Sequence, residues 1–225
     1  MTFSIAARCP ETGQFGIAIS SSSIAVGARC PWLLPGVGAV STQNITLPSL
    51  GPETLALMEQ GLAPAEALDK VLTRNGYSQY RQITAIDHLG RTAHFSGSET
   101  LGKHNAVSGE QCVAAGNMLA DRSVIEAMVS AFEHGEGQLA DRLITAMNAA
   151  IEAGGEAGPV HSAALVVVGE LTWPIINLRV DWADEAPIAQ LEKRWEAYRP
   201  QVQDYIDRAL APDRSPGYGV AGDDR

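Results

Sequence analysis

Strands and helices come in blocks along this chain, and that grouping limits its fold more than any single motif. Phe3, Ile5 and Ala7 alternate with Ser4, Ala6 and Arg8, the period of a half-buried strand. Pro10-Glu11-Thr12-Gly13 supplies turn chemistry, and residues 16–21 read as the returning strand of a hairpin. Residues 36–42 form a third strand, small and apolar. Two helices come next. Gly51-Pro52-Glu53 opens the first, with proline where its missing N–H costs little, and Leu55, Met58 and Leu62 make its apolar side. Pro64 opens the second, which carries Leu68, Val71 and Leu72 and stops at Asn75-Gly76.

The pattern then repeats. Strands over 82–87 and 91–96 flank the turn His88-Leu89-Gly90, and a short strand covers 112–116. Asp121 caps a helix whose Val124, Ile125, Met128, Val129 and Phe132 share one face. A second helix shows Leu139, Leu143, Ile144, Met147 and Ile151, up to Gly154-Gly155. Residues 162–168 are one apolar run, hence a strand covered on both faces, with 175–180 as its hairpin partner. A last helix starts near Pro187 and carries Ile188, Leu191, Trp195 and Tyr198; Pro200 ends or kinks it.

Strands in blocks, with helices in pairs between them, predict an α+β fold with antiparallel sheets rather than a doubly wound parallel one. Two sheets face to face, each with a helical layer outside, accommodate this order as a four-layer α-β-β-α sandwich. Other α+β layouts fit the same periodicities. With no composition shift and no repeat, residues 1–211 form one domain. Residues 212–225 are rich in Pro, Gly, Asp and Arg, and a mobile tail is expected there.

Composition excludes some partners. The formal net charge of -10 repels a nucleic-acid backbone or an anionic membrane. No apolar run approaches the ~20 residues of a membrane span, and no secretory signal opens the chain. Cys9, Cys30 and Cys112 are odd in number and contain no CxxC pair. A disulfide framework or a zinc site is therefore not expected, and a reducing cytoplasm is the simple reading. Trp195, Tyr198 and Tyr205 exceed what one helical stripe needs to cover a core, which predicts a homodimer.

Chemistry points to the first strand. Removal of Met1 ahead of a small residue exposes Thr2, which then carries a hydroxyl nucleophile and an α-amine base in one residue. Such an amine titrates at about 7.7 to 8, so part of it is unprotonated near neutrality. A nucleophile also needs donors where the oxyanion forms. Asn117, in a glycine-flanked turn after a strand, is suited to that role, or else bonds its own turn. Gln43 and Asn44 end the third strand and either hold a substrate amide or carboxylate or satisfy a loop. Ser20-Ser21-Ser22-Ser23 either donates to a substrate or is a polar strand exit. Ser21 faces the opening residues only if the second strand overshoots. Asp87-His88 and Arg91-Thr92-Ala93-His94 lack an evident third metal ligand. A cysteine-dependent enzyme would use Cys30 or Cys9; Cys30, beside Arg29, is a thiol nucleophile only if electropositive neighbours lower its pKa.

Several motifs together resemble one known family. Thr2-Phe3-Ser4-Ile5-Ala6-Ala7, Ala25-Val26-Gly27, Pro31-Trp32, Gly36-Val37-Gly38-Ala39-Val40, Thr42-Gln43, Gly51-Pro52 and Gly116-Asn117-Met118-Leu119 look like the family catalogued as domain of unknown function 1028. Ser162-Ala163-Ala164-Leu165 and Leu178-Arg179-Val180-Asp181 do so too. That family is similar in fold to the N-terminal-nucleophile hydrolases. The resemblance thus implies that fold and raises the standing of Thr2 as nucleophile, with Asn117 at the oxyanion. The resemblance implies architecture more firmly than substrate; the leading reading of the residues is hydrolysis of a C–N amide bond in a small molecule, for which no metal or organic cofactor is needed. Relatives often carry a basic residue where Ser22 stands and Gln-Gly-Asn in place of Ala115-Gly116-Asn117. They show Asp, Arg and Gln in the loop where this chain has Glu156, Gly158, Val160 and His161. His161 is a substrate contact or a half-buried loop residue. These replacements keep open a second reading, a catalytically inactive binding or assembly protein of the same fold.

Overall fold

In the computed structural model, which describes residues 1–223, ten strands pair into two antiparallel sheets. Strands β1 (Thr2–Arg8), β2 (Phe15–Ser21), β7 (Asn105–Gly109), β8 (Cys112–Asn117), β9 (Ser162–Val168) and β10 (Ile176–Val180) make the larger one, in the order β10-β9-β2-β1-β8-β7. Strands β3 (Pro31–Leu34), β4 (Gly38–Asn44), β5 (Arg81–Asp87) and β6 (Thr92–Ser96) make the smaller one in simple order. Helices α1 (Leu50–Glu59) and α2 (Pro64–Arg74) pack on the smaller sheet; α3 (Ser123–His134), α4 (Leu139–Glu152) and α5 (Pro187–Tyr198) pack on the larger. The four-layer α-β-β-α sandwich is therefore the architecture of this chain.

Three separate apolar cores fill its three interlayer spaces. Phe3, Ile5 and Ala7 meet Ile125, Met128, Phe132, Leu143 and Met147 beneath the larger sheet's helices. Ala6, Ile17, Ile19, Ala39, Ile86 and Val113 fill the space between the sheets. Val40 and Ile83 meet Leu50, Leu55, Leu68 and Val71 on the far side. One expectation is corrected here. Strand β1 is not half-buried: both of its faces are covered, because a second sheet replaces solvent on the side of Ser4 and Ala6.

Other differences are local. The third predicted strand starts at Gly38, not residue 36, because Gly36 takes a left-handed turn (φ 73°). Gly38 itself is required: a Cβ there would come within 2.3 Å of the Ile86 carbonyl oxygen. Strands β3 and β7, unseen in the sequence, are short sheet edges whose side chains are mostly half-buried. Past Pro200 the chain resumes as α6 (Val202–Leu210).

The expected free tail is in part held. Arg208 donates to the carbonyls of Pro216 (3.0 Å) and Gly217 (2.9 Å) and lies 4.1 Å over the Tyr218 ring. Residues 224 and 225 of that tail lie outside the described residues. The aromatic surplus is also engaged within the chain. Trp195 is buried and donates to Asp141 (2.7 Å), the Tyr198 hydroxyl donates to the Ile175 carbonyl, and Tyr205 packs between Tyr198 and Tyr218. Among the described residues, no helix is long and apolar enough to cross a membrane.

Candidate functional site at the start of the central strand

Thr2 begins β1, an inner strand of the larger sheet, and is paired on both sides. It faces Ser21 in β2 and Asn117 in β8 in direct register. No overshoot of β2 is needed, because the two strands of the hairpin are equal in length and the last residue of β2 meets the first of β1. Residues paired directly across antiparallel strands project on the same face. That face is the inter-sheet one: Ser4, two residues on, reaches Ser41 (3.1 Å) and Gln43 Oε1 (2.7 Å) across the gap. Thr2, Ser21 and Asn117 thus converge at one end of the space between the sheets. All three are buried, with Thr2 5 % exposed.

The smaller sheet answers with two glutamines, Gln43 and Gln82, themselves paired in register. Gln43 Nε2 donates to Gln82 Oε1 at 2.8 Å, and Asn117 Nδ2 donates to the same oxygen at 3.1 Å. Gln82 Nε2 donates to Ser96 Oγ and to the Gly116 carbonyl, both at 3.0 Å. A chain of amides therefore ties the sheets together beneath Thr2. One group in it is unpaired: Asn117 Oδ1 is buried with no hydrogen-bond partner.

A roof crosses this end of the sheet. Residues 156–161 run over the start of β1 and are pinned to the strands on either side. The Ala157 N–H donates to the Met118 carbonyl (2.9 Å), and Glu156 bridges to Leu119. The His161 N–H donates to the Ser21 carbonyl (2.9 Å). Beneath the roof lies Met1. Its carbonyl accepts bonds from Thr2 Oγ1 at 2.5 Å and from Ser21 Oγ, and the two hydroxyls lie 3.2 Å apart. A Cβ on Gly158 would lie 3.2 Å from the Met1 Cε atom.

Glu156 is the residue that sequence reading missed as a site group. It is 6 % exposed, and neither carboxylate oxygen has a hydrogen-bond partner. Burial pushes its carboxyl up to about 8; the Met1 ammonium and the N–H and hydroxyl of Ser22 pull partway back, without well-formed bonds. Two glycines just ahead of it, Gly154 (φ 110°) and Gly155 (φ 59°), turn the chain into the roof, and Gly-Gly-Glu is the one sequence signal that pointed there. Gln82 and Ser4 were missed too. Period-2 counting from Thr2 puts Ser4 on its face, but nothing in the sequence announces the opposing Gln82.

The remaining expected residues divide. Gln43 joins the buried network, whereas Asn44, next in the strand, projects the opposite way. Its Nδ2 donates to the Tyr80 carbonyl (2.6 Å), its Oδ1 accepts from the Leu101 N–H (3.2 Å), and its φ of 70° makes it a strand-ending turn residue. His161 contributes its backbone beside Ser21, but its ring is stacked on Trp182 at 4.4 Å and its Nδ1 lies 2.9 Å from the Ala183 carbonyl. Cys30 is buried and its thiol is pushed up to about 11 by that burial, against Arg29 and the Met1 ammonium. It is held as a thiol rather than as a nucleophile. At Cys9 burial also raises the pKa, but hydrogen bonds from Thr12 and Glu11 outweigh it and the net shift is downward. Cys9 follows the end of β1 opposite Thr2.

No curated protein matches the chain. The crystal structure of protein SPO2555 from Silicibacter pomeroyi, described as a DUF1028 protein, superposes with a TM-score of 0.84 at 33 % identity. The match covers 92 % of this chain and 93 % of that one. Anbu (ancestral beta-subunit) from Yersinia bercovieri superposes with a TM-score of 0.44 at 9 % identity, over 97 % of this chain and 100 % of that one, a likeness too loose to bear on function. Residues 2–191 match the description "Family of unknown function (DUF1028)", and over that span, which holds every strand and all of the candidate site, the chain belongs to this family.

Proposed function

We propose that this protein is an N-terminal-nucleophile hydrolase that cleaves a C–N amide bond of a small molecule once Met1 has been removed. One observation carries the reading. Thr2 starts a central strand with Ser21 and Asn117 in register on either side, on the face that meets the second sheet. In this reaction Thr2 Oγ1 attacks the carbonyl carbon and its proton passes to the freed Thr2 amine. The amine then protonates the leaving nitrogen as the C–N bond breaks. An ester on Thr2 remains, and water cleaves it with the amine again as base. Asn117 serves the oxyanion with its amide. Its Nδ2 makes one hydrogen bond, to Gln82 Oε1, which leaves the second N–H of that amide to donate.

A specific observation favours the second reading, a non-catalytic binding protein. With Met1 in place, the hydroxyls of Thr2 and Ser21 both bond its carbonyl, and the Thr2 nitrogen is in a peptide bond. The intact mass of the protein from its own host separates the two. A Met1-free mass is expected, together with labelling at Thr2 by an electrophile selective for N-terminal hydroxyls. Thr2→Ala is expected to reduce labelling to background while the unfolding transition moves little. A retained Met1, or equal labelling of Thr2→Ala, would falsify the hydrolase reading.

A further inference from the structure

Met1 fills a space the size of one amino acid under the roof, held at its carbonyl and its side chain. On the roof above it stands Glu156, whose carboxyl is more than nine-tenths buried and has no hydrogen-bond partner and no ion pair, with the Met1 ammonium included. The Met1 carbonyl accepts from the Thr2 and Ser21 hydroxyls. Its side chain lies under Gly158, where the missing Cβ leaves room for it. The roof that supplies Glu156 and Gly158 is pinned on both sides by backbone bonds that do not involve Met1. Loss of Met1 therefore removes the occupant and leaves those anchors in place. A buried, unpartnered carboxyl is costly to ionise, and a cation beside it offsets that cost.

We infer that, once Met1 is gone, its cradle binds the aminoacyl half of a substrate: ammonium at Glu156, carbonyl carbon within reach of Thr2 Oγ1, side chain beneath Gly158. The substrate class is then an α-aminoacyl amide with a free amine and an apolar side chain of up to methionine's length. This deepens the hydrolase reading and rests on it for turnover, though not for binding. A free ligand lies slightly further out than Met1, because a hydrogen-bonded contact replaces the peptide bond. Glu156 does no chemistry; it orients the carbonyl by holding the neighbouring ammonium. An N-acetylated analogue has no cation to offer and leaves Glu156 unpaired.

Calorimetric titration of the Met1-free protein tests this with methioninamide and N-acetylmethioninamide. Methioninamide is expected to bind at least 10-fold more tightly, the scale of one charged hydrogen bond. Glu156→Gln, nearly isosteric, should remove that preference and retain the unfolding transition. Gly158→Val should weaken methioninamide and spare alaninamide, and it checks the cradle by a route independent of Glu156. Equal binding of the two ligands, no binding of either, or an unchanged preference in Glu156→Gln overturns the inference. Electrophile labelling at Thr2 is scored separately. Glu156-dependent binding without labelling sinks the hydrolase reading alone, and labelling without an amine preference sinks this inference alone.

Discussion

The two faces of strand β1 are equally buried and chemically opposite. Toward α3 and α4 it presents Phe3, Ile5 and Ala7, all fully buried in a core without a polar side chain. Toward the smaller sheet it presents Thr2, Ser4 and Ala6, no less buried. There the character changes along the strand. Ala6 sits among Ile17, Ile19, Ala39 and Val113, while Thr2 and Ser4 meet Ser21, Ser41, Gln43 and Asn117. Burial alone therefore does not mark the site. What marks it is a cluster of buried polar side chains around Thr2, in which Asn117 and Glu156 keep oxygens without a hydrogen-bond partner.

The sharpest way to break this comparison is to truncate each face in turn. Phe3→Ala should cost about 3 to 5 kcal/mol, by lost burial and a residual cavity. Thr2→Ala, at the edge of the polar end, should cost no more than about 1 kcal/mol in the same denaturant titration. Comparable losses would show that both faces serve packing alike.

Glu156→Gln comes next, and its effect depends on pH. A carboxyl whose folded pKa is raised to about 8 binds more protons in the native than in the unfolded state between its ordinary value, about 4.5, and 8. Stability of the parent protein should then fall as pH rises through that window. The variant lacks the group and escapes the loss. It should gain about 2 to 4 kcal/mol over the parent at pH 8.5 and little at pH 4.5. Parallel stability curves for the two proteins would remove Glu156 from the set of strained groups.

Gln82→Ala probes the bridge between the sheets. It strips partners from Gln43, Asn117, Ser96 and the Gly116 carbonyl, at an expected cost of about 1 to 3 kcal/mol. If Thr2 labelling survives it unchanged, the amide chain supports the fold but not the chemistry. The smallest effect belongs far from both faces. Arg208→Ala should release the segment around Pro216–Tyr218, seen as faster amide hydrogen exchange there, with less than about 1 kcal/mol of global change.

Much of the fold was legible because it follows from local pattern. The run 162–168 is β9 to the residue, and Pro64 with Leu68 and Val71 marks α2. Strand β1 was legible as a strand but not in its environment. Ser4 alternates with Ile5 whether its face meets water or a second sheet, and only packing decides between them. The edge strands β3 and β7 escaped because half-buried edges carry a weak period. The site was legible in part for the same reason. Thr2 and Asn117 stood out by chemistry and position, but Gln43 and Asn44 looked alike as neighbours. The pleat separates them, sending Gln43 into the gap and Asn44 to loop carbonyl and amide groups.

The amino-acid sequence by itself determined the order of eight of the ten strands and of helices α1 to α5, the antiparallel α+β class, and a threonine at the head of the first strand. Those depend on periodicity and turn chemistry within a few residues. Tertiary structure alone decided that Thr2 lies between Ser21 and Asn117, that Gln82 from the other sheet reaches Asn117, and that Glu156 is buried over Met1. These residues are far apart along the chain. Their meeting depends on strand register and on the closure of one sheet over another, and a carboxyl's pKa depends on how much water that closure removes.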